Sequence, residues 1–163
     1  MEASKTLIPQ GPRFYDELAR EIEAFADPVW FTALSNAAAS LKQHLTGINW
    51  VGFYLLRNGE LVLGPFQGLP ACTRIALGKG VCGTAALERR TLVVADVDAF
   101  PGHIACDSAS KSEIVIPLIK DGRVLGVLDV DSPFPNRFSH DDRVGLEKIA
   151  ERLLVFTEWP TLA

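Results

Sequence analysis

Apolar residues recur every three or four positions at Phe14, Leu18, Ile22 and Phe25, which lays one face of a helix over about 13–26. Asp27 followed by Pro28 predicts a restart, with the aspartate as N-cap and the proline at the first helical position. This second helix runs to about His44 and stops near Thr46-Gly47. Its Ala37-Ala38-Ala39 patch permits close approach to a sheet or another helix. From Ile48 to Leu56 β-branched and aromatic residues predict a strand, with Trp50, Gly52 and Tyr54 on one face and Val51, Phe53 and Leu55 on the other. Asn58-Gly59 is a hairpin signal that returns the chain over Glu60 to Leu63. Residues 64–71 read as turn.

A short strand follows at about Cys72 to Ala76, then a glycine-rich turn, a short helix over about 81–89 and a strand from Thr91 to Ala95. Residues 96–112 form a long loop, and loops of that length inside a compact domain are functional or disordered. Ile114 to Ile119 and Val124 to Val130 are the most strand-like segments, joined through Asp121-Gly122. Two prolines between Asp131 and Arg137 bar a central strand there. Ser139 caps a final helix over about 140–156, with Asp142 as a weak capping-box partner and Val144, Ile149, Leu153 and Phe156 as its core stripe. Hairpin links dominate and strands do not alternate regularly with helices. The class is therefore α+β, an antiparallel sheet of about six strands with helices packed on it.

Composition narrows the function. A chain of 163 residues suits one domain, here a loosely ordered lead-in over 1–12 and a folded unit over 13–163. A net charge of -4 argues against nucleic acid or an anionic membrane as partner. No apolar run approaches the roughly 18 residues that span a bilayer, and the N-terminus does not resemble a secretory signal. The expected setting is cytoplasmic, where the three cysteines are reduced, reactive or metal-bound rather than a permanent staple.

Candidate chemistry gathers between Cys106 and Asp131. Asp129 and Asp131 are two apart on a strand and project from one face, where they repel unless a cation or donors intervene. They read either as a strand end entering solvent or as a subsite for an ammonium group. Register decides whether Glu113 joins them. A two-residue Asp121-Gly122 loop sets Glu113 opposite Val130, and a three-residue loop through Arg123 sets it opposite Asp131. Cys72, Cys82 and Cys106 each read as a small buried hydrophobe or as a reactive thiol. His103 and Cys106 have half of a zinc spacing, but Cys72 and Cys82 lack the usual short pair, so neither a metal nor a cofactor is expected. Trp50 and Tyr54 share a face and read as core or as a wall for a methyl group.

Three stretches resemble GAF-domain enzymes that reduce free methionine-(R)-sulfoxide. They are Asn49-Trp50-Val51-Gly52-Phe53-Tyr54, Gly78-Lys79-Gly80-Val81-Cys82-Gly83-Thr84-Ala85, and the run from His103 through Glu113 to Ser132. The cysteine gaps of ten and twenty-four residues match that family rather than GAF domains in general. The resemblance implies a single GAF domain. It makes Cys106 the nucleophile that becomes a sulfenic acid, Cys72 the resolving residue, Cys82 a second possible partner, and thioredoxin the reductant. It gives Glu113, Asp129 and Asp131 the substrate ammonium, with Glu113 supplying or sharing a proton, and Trp50 and Tyr54 the terminal methyl. Backbone N–H groups of residues 104–110 would take the carboxylate, and a homodimer is expected. The alternatives are a non-catalytic ligand-binding GAF sensor and a thiol redox sensor.

Overall fold

The tight approach of Gly145 to Tyr15 fixes how the helical layer closes. A Cβ on Gly145 would lie 2.0 Å from Tyr15 Cγ, so only glycine lets the last helix ride over that ring. In the computed structural model, which describes residues 10–103 and 108–159, the two partners belong to α1 (Pro12–Ala24) and α4 (His140–Phe156). With α2 (Trp30–His44) they cover one face of a six-stranded sheet. Its strands are β1 (Trp50–Arg57), β2 (Glu60–Gln67), β3 (Arg74–Ala76), β4 (Leu92–Val94), β5 (Ser112–Lys120) and β6 (Arg123–Ser132), ordered β3-β2-β1-β6-β5-β4. All neighbours are antiparallel. The α+β class and the strand number expected from the pattern are both present. Among the described residues no helix is long and apolar enough to cross a membrane.

Alternation along β1 divides the interior in two. Val51, Phe53 and Leu55 enter the helix-side core with Leu34, Leu41 and Ile149. Trp50 and Tyr54 enter a smaller cluster on the opposite face, under α3 (Gly80–Glu88). Neither face is left to water, which is why β1 is buried at nearly every position.

Several local expectations are corrected. Asp27 does not cap α2: its Oδ1 accepts from the Val29 N–H at 2.8 Å in a local turn, and Val29 is the N-cap. The helix starts at Trp30 because Val29 is extended and bridges to Glu158, whose N–H donates to the Pro28 carbonyl. Phe25 is exposed because α1 ends at Ala24, leaving Tyr15, Leu18, Ala19 and Ile22 as its buried stripe. On α4, Val144 and Phe156 are exposed, and the buried stripe runs through Gly145, Leu146, Ile149, Ala150 and Leu153. The rotation follows the Tyr15 contact. Residues 64–67 continue β2 rather than turning, since β3 pairs only as far as Val62 and leaves Pro65 without a ladder partner on that side. The lead-in expected over 1–12 falls, for residues 1–9, outside the described residues.

Asp142 is the polar hinge of the helical layer. It completes a full capping box with Ser139, accepts from the Tyr15 hydroxyl at 2.5 Å, and pairs with Arg137 at 2.8 Å. Both ionic side chains are almost wholly buried. Asp142→Ala would strand a buried guanidinium and a buried phenol, so we expect a loss of about 3–5 kcal/mol in urea unfolding. Arg137→Ala should produce a comparable loss by stranding the carboxylate.

Candidate functional site

Register across three strands builds the site. On β6, Asp131 pairs with Trp50 of β1 and Glu113 of β5, and Asp129 pairs with Gly52 and Val115. Side chains of directly opposed residues share a face. Trp50, Tyr54, Glu113, Asp129 and Asp131 therefore converge on the α3 side, where all five line one pocket with Cys82.

The Glu113–Asp131 pairing arises differently from the longer loop expected. The hairpin tip has two residues, Asp121 and Gly122, both at positive φ, and Lys120 pairs directly with Arg123. The register then shifts between Leu118 and Ile119: Ile119 pairs with Val124, but Leu118 pairs with Gly126. Leu125 is the extra residue of a β-bulge, and it restores the pairing that a two-residue turn alone would miss. Gly126 is required beside it, since a Cβ there would lie 2.1 Å from the Tyr54 carbonyl oxygen.

Burial sets the protonation of the acids. Glu113 and Asp129 are each 6% exposed. Burial first, then the charges of Asp129 and Asp131, pushes Glu113 well above the carboxylate range. Burial also raises Asp129, to about 6, although hydrogen bonds from Glu113 and Cys82 oppose it. The proton thus resides on Glu113 and is shared toward Asp129. Asp129 Oδ1 is buried without a hydrogen-bond partner, an unfilled acceptor facing the pocket.

Cys82 comes from the first turn of α3, behind Gly78, which needs its positive φ. Its Sγ donates to Glu113 Oε1 at 3.8 Å. Burial and the surrounding carboxylates push this thiol well above its ordinary value, so it stays protonated. Cys82 is free, whereas Cys72 is disulfide-bonded. Among the described residues, Cys82, Glu113 and Asp129 are the set whose ligand-type atoms cluster tightly, all within 4.8 Å of one another.

Beside the acids, on the neighbouring strand, stands an aromatic wall. Trp50 stacks on Tyr54, with centroids 6.0 Å apart, and on Phe66 at 5.3 Å. Its indole N–H donates to the Leu69 carbonyl at 3.1 Å, and the Tyr54 hydroxyl donates to the Cys72 carbonyl at 2.9 Å. Burial, with the nearby Asp129 charge, raises Tyr54 far above an ordinary phenol and keeps it a neutral donor. Gly52 makes the stack possible, because a Cβ would come 2.3 Å from Phe66 Cβ and 2.7 Å from the Trp50 ring.

Cys106 and residues 104–107 of the expected carboxylate loop lie outside the described residues. The flanking His103 and Ser110 line the pocket. Sequence reasoning missed three contributors: Phe66, Leu69 and Lys79. Phe66 and Leu69 were hidden by reading 64–71 as turn. Lys79 was legible only as a lone cation between two glycines at a helix start, and it is the pocket's lysine. The arrangement can hold a cationic group on the acids, a small apolar group on the aromatic wall and a proton on Glu113.

A protein-family model for the GAF domain matches residues 32–155. The chain is 46% identical over 151 residues to the free methionine-R-sulfoxide reductase of Escherichia coli (strain K12), covering 90% of this chain and 92% of that one. The Saccharomyces cerevisiae reductase of the same name is 49% identical over 130 residues, covering 75% and 72%. Among solved structures, Staphylococcus aureus fRMsr in complex with substrate superposes with a TM-score of 0.86 at 49% identity, covering 93% of this chain and 98% of that chain. The Neisseria meningitidis free methionine-R-sulfoxide reductase in complex with its substrate gives 0.86 at 46%, covering 95% of each chain. With 46% and 49% identity to two such reductases over 90% and 75% of its length, and a GAF-domain model matching residues 32–155, the chain belongs to the free methionine-(R)-sulfoxide reductase family of GAF domains.

Proposed function

We propose that the protein reduces free L-methionine-(R)-sulfoxide to methionine. The observation that carries this reading is the buried acid cluster, with the unfilled Asp129 Oδ1, sharing one pocket with the Trp50–Tyr54 wall. Among the described residues no lysine, arginine or histidine pairs with Glu113 or Asp129. A substrate ammonium supplies the missing cation. The backbone nitrogen of a methionine inside a protein is an uncharged amide and leaves the acids uncompensated, so the pocket selects the free amino acid.

The chemistry assigned to Cys106 follows from the resemblance. Its thiolate attacks the sulfoxide sulfur while Glu113 protonates the oxygen, giving a sulfur–sulfur adduct; the hydroxyl then passes to the Cys106 sulfur as the substrate S–O bond and the sulfur–sulfur bond break, so methionine leaves and Cys106 is a sulfenic acid. The Cys72 thiol attacks that sulfur and its proton goes to the departing hydroxyl, so a Cys72–Cys106 disulfide forms and water leaves. A thioredoxin dithiol then restores both thiols by exchange. Support for Cys72 over Cys82 as resolving residue comes from their states: Cys72 is oxidised, whereas Cys82 is a buried thiol held protonated. The reading includes a homodimer and a reducing cytoplasm, which keeps such cysteines in turnover.

Thioredoxin-coupled NADPH oxidation tests the assignment. Wild type should consume the R epimer of free methionine sulfoxide and spare both the S epimer and N-acetylated substrate. Cys106→Ser should be inactive, and Cys72→Ser should complete one turnover per protein and stall. Full activity in Cys106→Ser would overturn Cys106 as the nucleophile, and a wild type that binds free methionine sulfoxide without turning it over would leave only a binding module.

The raised pKa of Asp129 makes two further expectations. As pH falls through about 6, Asp129 takes up a proton and its hold on the ammonium fades, so KM should rise below that value. In the empty protein the sign for stability is opposite. The folded state binds more protons than the unfolded state between the ordinary 3.8 and about 6, so this contribution is present at low pH and lost as pH rises through that window. Ligand-free Asp129→Asn should therefore be more stable than wild type at pH 8, by about 1–3 kcal/mol, while its KM rises. Equal or lower stability in that variant, measured by urea unfolding, would contradict the buried-charge account.

A further inference from the structure

Cys82 is a free thiol, yet it sits against two carboxylates in the interior rather than in a nucleophile's setting. The 3.8 Å from its Sγ to Glu113 Oε1 is close to the ~3.5 Å that ordinary zinc–sulfur and zinc–oxygen bond lengths impose on two ligands of a tetrahedral ion. Asp129 brings the third donor within the same 4.8 Å cluster. A second observation points the same way: Asp129, only 6% exposed, presents Oδ1 to the pocket with no hydrogen-bond partner. We infer that Cys82, Glu113 and Asp129 form a binding site for Zn2+, and that this ion and the substrate ammonium exclude one another.

One thiolate and two carboxylates favour a borderline-soft divalent ion, whereas magnesium and calcium take oxygen donors. Three protein ligands leave the fourth position open, and here it faces the pocket. The charge balance is favourable. Binding displaces the Cys82 thiol proton and the proton shared by Glu113 and Asp129, so two protons leave as one doubly charged ion enters. The buried cluster keeps the same net charge, and the unfilled Asp129 oxygen gains a bond. The ion uses the same acids as the ammonium, so it silences the pocket rather than assisting reduction. Exclusion of substrate rests on the reductase reading; the ion site itself does not.

The test uses full-length oxidised protein, in which the Cys72 sulfur is committed to its disulfide. Added Co2+ should produce a near-ultraviolet thiolate-to-cobalt charge-transfer band that Zn2+ abolishes. Cys82→Ser should lack the band, and Asp129→Asn should weaken Zn2+ binding by at least about 100-fold, the upper end of what losing even an outer-sphere partner does. Saturating free L-methionine should weaken Zn2+ binding, and Zn2+ should inhibit competitively. An absent band in wild type, which needs no variant to fold, would overturn the site, as would a band retained in Cys82→Ser. Zn2+ binding indifferent to methionine would overturn mutual exclusion. If the ion binds as described but methionine sulfoxide is not reduced, the functional reading fails and the site stands.

Discussion

Two buried carboxylates, brought side by side on adjacent strands with no cation among the described residues to pair them, are the constraint on which this structure turns. Water cannot screen them, so one must keep its proton, and both gain from any cation that enters. Everything that defines the pocket serves that placement. The antiparallel ladder sets Glu113 beside Asp131 and Val115 beside Asp129, the Leu125 bulge fixes the register, and α3 closes the face. The helical layer on the opposite face provides the stability that such a cluster removes. Its own buried ion pair, Arg137 with Asp142, is hydrogen-bonded on both sides, whereas the acid cluster keeps an unfilled acceptor at Asp129.

Much of this was legible from residues that do one local thing. Asn58-Gly59 forms its two-residue turn at positive φ, and the faces of β1 follow strict alternation from Trp50 to Leu55. Ser139 and Asp142 form the expected box, with both bonds made. The illegible parts depend on contacts between distant segments. Nothing around Leu125 announces a bulge, because the requirement comes from the Tyr54 carbonyl that Gly126 must clear. Pro65 argues for a turn until β3 is seen to end short of it. Val144 and Phe156 satisfy helical periodicity, but Gly145 against Tyr15 sets the rotation of α4 and turns them outward.

The same split holds for the site. The acids and the Trp50–Tyr54 pair could be listed from spacing, and the cysteine gaps pointed to sulfur chemistry. Spacing could not say which cysteine is buried among carboxylates. A thiol at a helix start would ordinarily be acidified by backbone donors, but at Cys82 the acids and burial outweigh them. The three-dimensional neighbours of that sulfur reverse the expectation drawn from its local sequence.

The two hydrogen bonds from the aromatic wall also join it to the loop that carries Cys72. Trp50 and Tyr54 do not merely bound the pocket; they grip the Leu69 and Cys72 carbonyls of one loop. Any displacement of Cys72 as it gains or loses a sulfur partner is thus transmitted to the rings that would hold the methyl group. Occupancy of the wall and the oxidation state of the loop become mechanically linked variables. On the proposed cycle, the pocket's shape would carry a record of which half the protein is in.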